Sequence, residues 1–350
     1  MDATADTVTP RQIHPWVAEG QRRIRFGIAG GPLASWSDLR AWVLRIEELG
    51  FDSFWIGDHI LWSQVDAWTT LAALAVTAPR LRLGTMVSCV YYRSPALLAR
   101  MAADVDRFSD GRLVLGLGVG DFPKEFAQLG LTLPPFGTRA AALEETVQFV
   151  RGVWSAAPVT MRGSYVYAED ATLASRPVQQ PHVPLLIAGG GERVTLRQVA
   201  QYADVCNFGA TAGMGRAWGV AEVRRKLAAL ERHCADLGRP YEAILRSYQS
   251  SYFILAATEE DVAARLAKRA DRDTMIEDER RPGGPRRFTT HYRIPTVEHH
   301  TYKVTAGTPA QMVAHYRELI DAGMQYLIFS CGQDPEVLHL LAEEVIPHLN

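Results

Sequence analysis

The chain has 350 residues, of which 47% are hydrophobic and 22% are charged, and its formal net charge at pH 7 is -2. A sequence of this length and composition can bury about three quarters of its unfolded surface in one large domain. The charge is too small and too evenly mixed to neutralise a phosphate backbone, so nucleic acid is not an expected partner.

The cysteines and the N-terminal segment point to the compartment. Cys89, Cys206, Cys234 and Cys331 are widely separated and form no metal-ligand spacing, which is typical of reduced thiols in a cytoplasm. Residues 1–20 lack a basic segment followed by an apolar run, and no stretch reaches the roughly 20 apolar residues of a membrane helix. We therefore expect a cytoplasmic protein with no metal site and no membrane segment.

Short β-branched or apolar runs alternate with longer amphipathic segments from the first strand onward, which is typical of repeated βα units around a parallel sheet. Eight runs are predicted as strands: Ile24 to Ala29, Ser53 to Gly57, Arg82 to Val87, Arg112 to Leu117, Pro184 to Ala188, Asp204 to Phe208, Leu245 to Leu255 and Gln325 to Ser330. Eight strands predict a closed (β/α)8 TIM barrel, because the rival doubly wound sheet typically uses about five or six.

Helices are predicted between and after these strands. The first ends before Gly50, as a helix with a C-terminal glycine should. The segments are Asp38 to Leu49, Asp66 to Thr77, Ala96 to Phe108, Arg139 to Trp154, Val194 to Ala203, Gly219 to Leu237, Glu260 to Ala270, Pro309 to Ala322 and Glu336 to Leu349. We expect residues 1–350 to form a single domain, with a polar extension over residues 1–22 and loop insertions over residues 156–182 and 271–303.

The active site of such a barrel is built from the loops after the carboxyl ends of the strands. After the second predicted strand come Asp58, His59 and Trp62, which are a carboxylate, an imidazole and a large aromatic. Histidine is the side chain best suited to moving a proton near neutral pH, so His59 is a candidate catalytic residue. The alternative is that Asp58 binds loop amides while His59 packs; the position at a strand end favours the functional interpretation.

The fourth predicted strand ends in a glycine-rich run, Gly116 to Asp121, which reads GLGVGD. Its glycines allow a ligand to approach the backbone closely, and tight barrel packing is the alternative explanation. The run departs from the dinucleotide fingerprint, because Asp121 stands where the third glycine belongs and no acid follows at the required distance.

The fifth predicted strand runs into Gly189, Gly190, Gly191, Glu192 and Arg193 and then into a helix. This arrangement points successive amide groups and the positive end of a helix at an anion. Sugar-phosphate barrels usually place their phosphate loops after strands seven and eight. We therefore expect this turn to bind a cofactor phosphate. The alternative is that the glycines only form a tight connection between the strand and the helix.

Taken together, these residues resemble the bacterial-luciferase-like oxidoreductase family, and more closely its branch that uses the deazaflavin coenzyme F420. The resemblance runs in order through five blocks: Leu49 to Trp62, Leu83 to Val87, Ser94 to Asp121, Gly189 to Phe208 and Gly307 to Phe329. It implies an enzyme that transfers a hydride between coenzyme F420 and a small organic substrate, with His59 as proton donor or electrostatic partner. It also implies a homodimer.

The resemblance implies positions for the cofactor as well. A non-proline cis peptide between Met86 and Val87 would lie behind the cofactor ring. The other implied contacts are Asp58 and Cys89 on the ring, Val119 and Gly120 along its edge, and Gly189 to Arg193 on the phosphate.

The substrate side is less well defined by the sequence. Related sugar-phosphate dehydrogenases carry a glutamate where this chain has Asp121, which is kept as a candidate catalytic carboxylate. The lysines and arginine that hold the sugar phosphate in those relatives have no clear counterpart, so a different substrate is expected. Trp62, Tyr91 and Tyr92 would wall the substrate side, with core filling as the alternative.

Two other functions remain open. One is a monooxygenase that uses flavin mononucleotide (FMN) and oxygen, because the same barrel serves both cofactors. The other is a barrel that binds a cofactor without catalysis.

Overall fold

The structure is a computed structural model that describes residues 13–31, 34–210, 215, 217–251, 253–270, 274–276, 288–293 and 301–350. Its strands are β1 (Arg25–Ala29), β2 (Ser53–Asp58), β3 (Arg82–Cys89), β4 (Leu113–Gly118), β5 (Val159–Arg162), β6 (Tyr167–Ala171), β7 (Leu185–Ala188), β8 (Val205–Gly209), β9 (Leu245–Ser250), β10 (Phe253–Leu255), β11 (Thr274–Ile276), β12 (Phe288–Arg293), β13 (Thr301–Gly307) and β14 (Tyr326–Phe329).

The helices alternate with these strands. They are α1 (Pro15–Gly20), α2 (Trp36–Glu48), α3 (Ala67–Thr77), α4 (Pro95–Phe108), α5 (Pro123–Gln128), α6 (Phe136–Trp154), α7 (Thr195–Tyr202), α8 (Val220–Asp236), α9 (Glu259–Ala270), α10 (Pro309–Asp321) and α11 (Pro335–Leu340). Among the described residues, each helix is too short or too polar to cross a lipid bilayer.

Eight parallel strands close into a barrel in the order β1, β14, β9, β8, β7, β4, β3, β2. Each overlaps one of the eight strands predicted from the sequence, so the predicted (β/α)8 barrel is confirmed. The seventh predicted strand, Leu245 to Leu255, is wrong in its second half. The barrel strand β9 ends at Ser250, and β10 leaves the barrel to pair with β13, with Phe253 opposite Thr305.

The two predicted insertions contain strands of their own. In the first, β5 and β6 form an antiparallel pair. In the second, β11 and β12 pair antiparallel, and β12 joins β13 and β10 in a four-stranded sheet. The remainder of the second insertion, residues 271–273, 277–287 and 294–300, lies outside the described residues.

The nine predicted helices are present, but the structure adds two and shortens one. The additions, α1 and α5, have six residues each and start with proline, too short for an apolar periodicity to show. The last predicted helix, Glu336 to Leu349, is not continuous: α11 ends at Leu340, and a π-helical turn (Leu341–Val345) and a 3-10 turn (Ile346–His348) follow.

The interior of the barrel is filled by its own strands and closed by α1. Trp55, Tyr326 and Ile328 belong to this inner cluster, and Trp16 and Val17 of α1 pack onto it. The remaining interior members are Val114, Leu186, Val205 and Leu245.

Two guanidinium groups lie over the indole of Trp16, with the Arg25 carbon 4.7 Å and the Arg82 carbon 4.6 Å from its ring centre. Both arginines stand at the amino ends of barrel strands. The carboxyl ends of the strands, where the candidate residues lie, are therefore at the opposite end of the barrel.

Candidate active site at the barrel mouth

Asp58 ends β2 and is held in a buried polar network. Its side chain is 1% exposed and accepts hydrogen bonds at Oδ2 from Ser88 Oγ and Arg93 Nη1, each at 2.6 Å. Arg93 also binds Asp66 at 2.7 Å, at the start of α3. Asp58 therefore ties β2 to β3 and to the loop beyond it; its contact with a cofactor ring stays a prediction.

His59 lies at the mouth against a buried carboxylate. Its Nδ1 is 2.8 Å from Glu125 Oε2, and the side chains of His59 and Glu125 are 33% and 0% exposed. The same carboxylate accepts from Tyr92 OH at 2.6 Å and from the amide of Leu61 at 3.0 Å. One imidazole nitrogen is thus fixed by a carboxylate, while part of the ring remains accessible.

The hydrogen bonds decide the charge of Glu125. Burial raises the pKa of Glu125, but the hydrogen bonds from Tyr92, His59 and the Leu61 amide outweigh it and hold the pKa below its ordinary value. A carboxylate that accepts several hydrogen bonds is stabilised in its ionised form. Glu125 is therefore a buried anion beside His59.

Sequence reasoning missed Glu125. The residue sits on the short helix α5 four positions after Asp121, and both follow the carboxyl end of β4. The proline that opens α5 is a sequence signal for a helix start, and a helix at this point places Glu125 close after the glycine-rich run that ends β4. Asp121 is half-buried in the loop before α5, and its catalytic role stays a prediction.

An aromatic cluster covers His59. The ring of Trp62 stacks on His59 with centroids 5.9 Å apart, and Phe122 meets both rings edge-on at 4.8 and 5.3 Å. Trp62 Nε1 donates to Gln128 at 3.0 Å. Helix α5 and the residue before it therefore dock on the loop after β2 through Phe122, Glu125 and Gln128.

Tyr91 and Tyr92 take different positions. Tyr92 reaches Glu125 with its hydroxyl, and its ring centre is 5.5 Å from that of Phe126. Tyr91 is packed between Phe126 and Tyr165, at 6.0 and 5.1 Å. Their proposed place on the substrate side stays a prediction.

Strand β3 carries one more residue than its neighbours at the mouth. Its register shifts against β2 and against β4 in the segment between Gly84 and Ser88, which is a β-bulge. The cis peptide that the resemblance places between Met86 and Val87 is present there. Thr85 Oγ1 donates to Gly116 O at 2.8 Å and accepts from Gly116 N at 3.1 Å.

The glycines of β4 make room for this bulge. A Cβ on Gly116 would lie 2.0 Å from the carbonyl oxygen of Thr85, and one on Gly118 would lie 2.6 Å from Val87 Cγ2. Tight barrel packing, the alternative considered for these glycines, is therefore confirmed at both positions.

Beyond β4, Val119 and Gly120 are half-buried at the mouth. Gly120 has φ +76°, and a Cβ there would lie 2.8 Å from Cys89 Sγ. Burial raises the pKa of the Cys89 thiol to about 12. Cys89 is thus a neutral, close-packed side chain beside the Gly120 backbone.

The turn after β7, residues 189–193, has the properties of an anion cradle. Within the described part of the chain, the amides of Gly190, Gly191, Glu192 and Arg193 donate to no acceptor. The turn precedes α7, whose positive end lies nearby. Free amides in a row before a helix fit a phosphate.

Two neighbours hold the turn in place. The Gly190 backbone packs on that of Gly215, since a Cβ on Gly215 would lie 2.5 Å from Gly190 Cα. Lys226, which is 5% exposed, donates to Gly190 O at 2.6 Å. Its ammonium group places a positive charge directly beneath the turn.

Two buried amide oxygens near the mouth have no donor among the described residues: Asn207 Oδ1 on β8 and Gln249 Oε1 on β9. Their nitrogens donate to Ser247 at 2.8 Å and to Ser330 at 3.4 Å. Unpaired buried acceptors cost free energy, and neither oxygen is accessible to water in this structure. Sequence reasoning overlooked these polar residues in apolar strands.

In the described ranges, no three His, Cys, Asp or Glu side chains group in a way that could hold a metal ion. The site is built instead from an imidazole, a buried carboxylate, aromatic rings and backbone amides.

Comparison with known proteins places this geometry in a family context. The luciferase-like monooxygenase family profile matches residues 6–326. An F420-dependent glucose-6-phosphate dehydrogenase from Amycolatopsis mediterranei (strain U-32) is 30% identical over 329 residues, covering 89% of this chain and 94% of that protein.

Two solved structures share the fold. The coenzyme F420-dependent tetrahydromethanopterin reductase from Methanopyrus kandleri superposes with a TM-score of 0.72 at 20% identity, covering 94% of this chain and 100% of that chain. Riboflavin lyase with modified FMN superposes with a TM-score of 0.74 at 15% identity, and the match covers 93% of this chain and 91% of that chain.

Proposed function

Because the chain belongs to the luciferase-like monooxygenase family, we propose that this oxidoreductase transfers a hydride between coenzyme F420 and a small organic substrate at the barrel mouth. The observation that carries the proposal is the pair His59 and Glu125, with Nδ1 and Oε2 2.8 Å apart, at the same end of the barrel as the free amides of residues 190–193. The His59–Glu125 pair can donate or accept a proton, and the free amides can bind a cofactor phosphate.

The choice of cofactor is supported by relatives. The Amycolatopsis protein, 30% identical to this chain, is named as F420-dependent. FMN is the competing cofactor, because the anion cradle fits the phosphate of either molecule and the riboflavin lyase of the same fold holds modified FMN.

The residues present fit such a cofactor. The cradle would bind its phosphate, with Lys226 adding charge from below, and the bulge of β3 would support the ring. The residues proposed to contact the ring are Asp58, Met86, Val87, Cys89, Val119 and Gly120. When bound, the deazaflavin supplies or accepts the hydride, and the protein supplies position and electrostatics.

His59 would hold the proton at Nε2. The ionised Glu125 accepts a hydrogen bond from the N–H at Nδ1. This leaves Nε2 as the nitrogen that can donate or accept a proton. The carboxylate also stabilises the imidazolium that forms when a proton is taken up. We propose Asp121, four residues before Glu125, as a second carboxylate near the same space.

The substrate would bind between the aromatic cluster and the ends of β8 and β9. Trp62 is 38% exposed and offers an apolar wall. This wall favours a substrate with an apolar body, such as a secondary alcohol, over a sugar phosphate.

The proposal is tested by titrating the apoprotein with coenzyme F420 and with FMN while following the quenching of fluorescence. Selective binding of F420 is expected, and selective binding of FMN would refute the choice of cofactor. A panel of alcohols and carbonyl compounds is then assayed by the absorbance of the deazaflavin, with wild type and His59→Ala compared. We expect His59→Ala to retain F420 binding and to lose turnover by a factor of about 100 or more.

If wild type bound F420 and turned over no compound of a broad panel, the non-catalytic binding function would be favoured instead. If His59→Ala turned over substrate as fast as wild type, the proton role of His59 would be wrong while the cofactor assignment stood.

A further inference from the structure

A surface pocket of about 370 Å³ continues outward from the anion cradle. It lies between residues 192–193 of the cradle and the outer face of α8, where Arg232, His233 and Asp236 line it. We call it the tail pocket. His233 Nε2 is 2.7 Å from the carbonyl oxygen of Glu192, so the cradle and the helix face form one continuous surface.

The charges around the tail pocket leave two arginines unpaired. Glu192 is engaged by Arg225 at 3.1 Å and approached by Lys226 at 3.9 Å. Arg193 and Arg232 are exposed and form no ion pair with another described residue. Asp236 is the remaining acid of the lining, so cations outnumber acids around the pocket.

The two unpaired arginines indicate a ligand that extends beyond the cradle. A ligand that ends at its phosphate would need only the free amides of the cradle and the charge of Lys226. Two further guanidinium groups beside the cradle fit carboxylates that continue beyond the phosphate, because guanidinium binds carboxylate through parallel hydrogen bonds.

We propose that the tail pocket binds an acidic, peptide-like extension of the cofactor, whose carboxylates pair with Arg193 and Arg232. This inference rests on the proposed function, since coenzyme F420 carries glutamyl residues beyond its phosphate whereas FMN ends at the phosphate. The tail pocket thereby favours F420 over FMN by contacts remote from the ring.

The effect of each arginine is modest, because exposed ion pairs are weak and are screened by salt. We expect removal of both arginines to weaken binding of the long-tailed cofactor by roughly 3- to 10-fold at low ionic strength. The difference should shrink at high salt.

The test compares two deazaflavins, F420 with several glutamyl residues and the same molecule without any, by fluorescence titration of the apoprotein. The variants are Arg193→Gln with Arg232→Gln, and Arg232→Glu as a charge reversal. Arg224→Gln is the control, because Arg224 is an exposed arginine of α8 outside the pocket.

We expect wild type to prefer the long-tailed cofactor, both pocket variants to lose that preference, and the control to keep it. The affinity for the tail-free molecule should be the same in wild type, in Arg232→Glu and in Arg224→Gln, whose substituted residues lie outside the cradle. Equal affinity of wild type for the two deazaflavins, or the same loss in Arg224→Gln, overturns the tail pocket but leaves the proposed function standing. Binding of FMN and of neither deazaflavin overturns the proposed function, and the tail pocket with it.

Discussion

Glu125 Oε2 lies 2.8 Å from Nδ1 of His59, so that a loop and a helix 66 residues apart in the chain share one buried charge. Replacing Glu125 by Gln keeps the shape but removes the anion that orients and stabilises the imidazolium. We expect kcat to fall by roughly 10- to 100-fold with little change in KM for the cofactor. Steady-state kinetics of Glu125→Gln measures this, and Tyr92→Phe, which removes one of the hydrogen bonds that favour the ionised carboxylate, should give a smaller loss. A loss confined to KM would argue against the role of Glu125.

His14 makes stability depend on pH. It is buried beside α1, its Nδ1 accepts from the amide of Trp16 at 3.1 Å, and its Nε2 is 3.0 Å from His182 O. Burial lowers the pKa of His14 to about 4, against the opposing charge of Asp204.

As the pH falls, the His14 imidazole is therefore protonated at a higher pH in the unfolded chain than in the folded protein. The free energy of unfolding is not reduced by His14 above pH about 6.5. It falls as the pH is lowered toward about 4, and the loss due to His14 is about 2 kcal/mol at pH 5. His14→Asn can keep the helix cap without titrating. Urea unfolding at pH 7.5 and pH 5 should show a smaller acid loss for the variant, and equal losses in both proteins would contradict the prediction.

Gly116 leaves no room for a side chain. In Gly116→Ala the new carbon would meet the Thr85 carbonyl oxygen at 2.0 Å, and backbone atoms cannot turn away. We expect a loss of several kcal/mol or failure to fold, since overpacking of a rigid core typically costs about 1–3 kcal/mol or more. Gly137→Ala is the control, because nothing lies within 4 Å of its added carbon. Thermal melts of the two variants should differ widely; similar melts would show that the bulge can move.

Lys226 should act on the phosphate and not on the ring. Its ammonium group donates to Gly190 O at 2.6 Å beneath the cradle. We expect Lys226→Met to weaken binding of a phosphate-bearing cofactor by about 10-fold or more. The affinity for the matching ring compound without phosphate should not change. Titration with both compounds separates the two effects, and an equal loss for both would indicate damage to the fold.

Cys89 should resist alkylation in the folded protein. Its thiol is 8% exposed, and burial raises its pKa to about 12, so little thiolate is present at pH 8. Because the thiolate is the reactive form, iodoacetamide should modify Cys89 only after denaturation. Mass spectrometry of protein treated before and after addition of guanidinium measures this. Rapid labelling of the native protein would show that the mouth opens around Cys89.

Much of the barrel could be predicted because its strands are continuous apolar runs bounded by turns, a local property of sequence. Contacts between distant segments could not. Strand β10 follows β9 with only a short gap, and its departure from the barrel is decided by pairing with β13, about fifty residues later. No local pattern distinguishes the two halves of that run.

The candidate site shows the same division. His59 was found because a histidine directly after a strand is conspicuous. Glu125 was not, because its partner is chosen by how the six-residue helix α5 docks, and a single glutamate on a short helix looks like a solvated residue. The orphan oxygen of Gln249 is likewise visible only when all its neighbours are in place.

Trp16, which packs on the inner cluster of the barrel and contacts Arg25 and Arg82, closes the end of the barrel opposite His59. The candidate site and this closed end therefore lie at opposite ends of the barrel axis. Specificity could be re-engineered at the rim while the plugged base is left untouched. An inhibitor that enters the barrel should have to do so at the rim, in competition with the substrate or the cofactor.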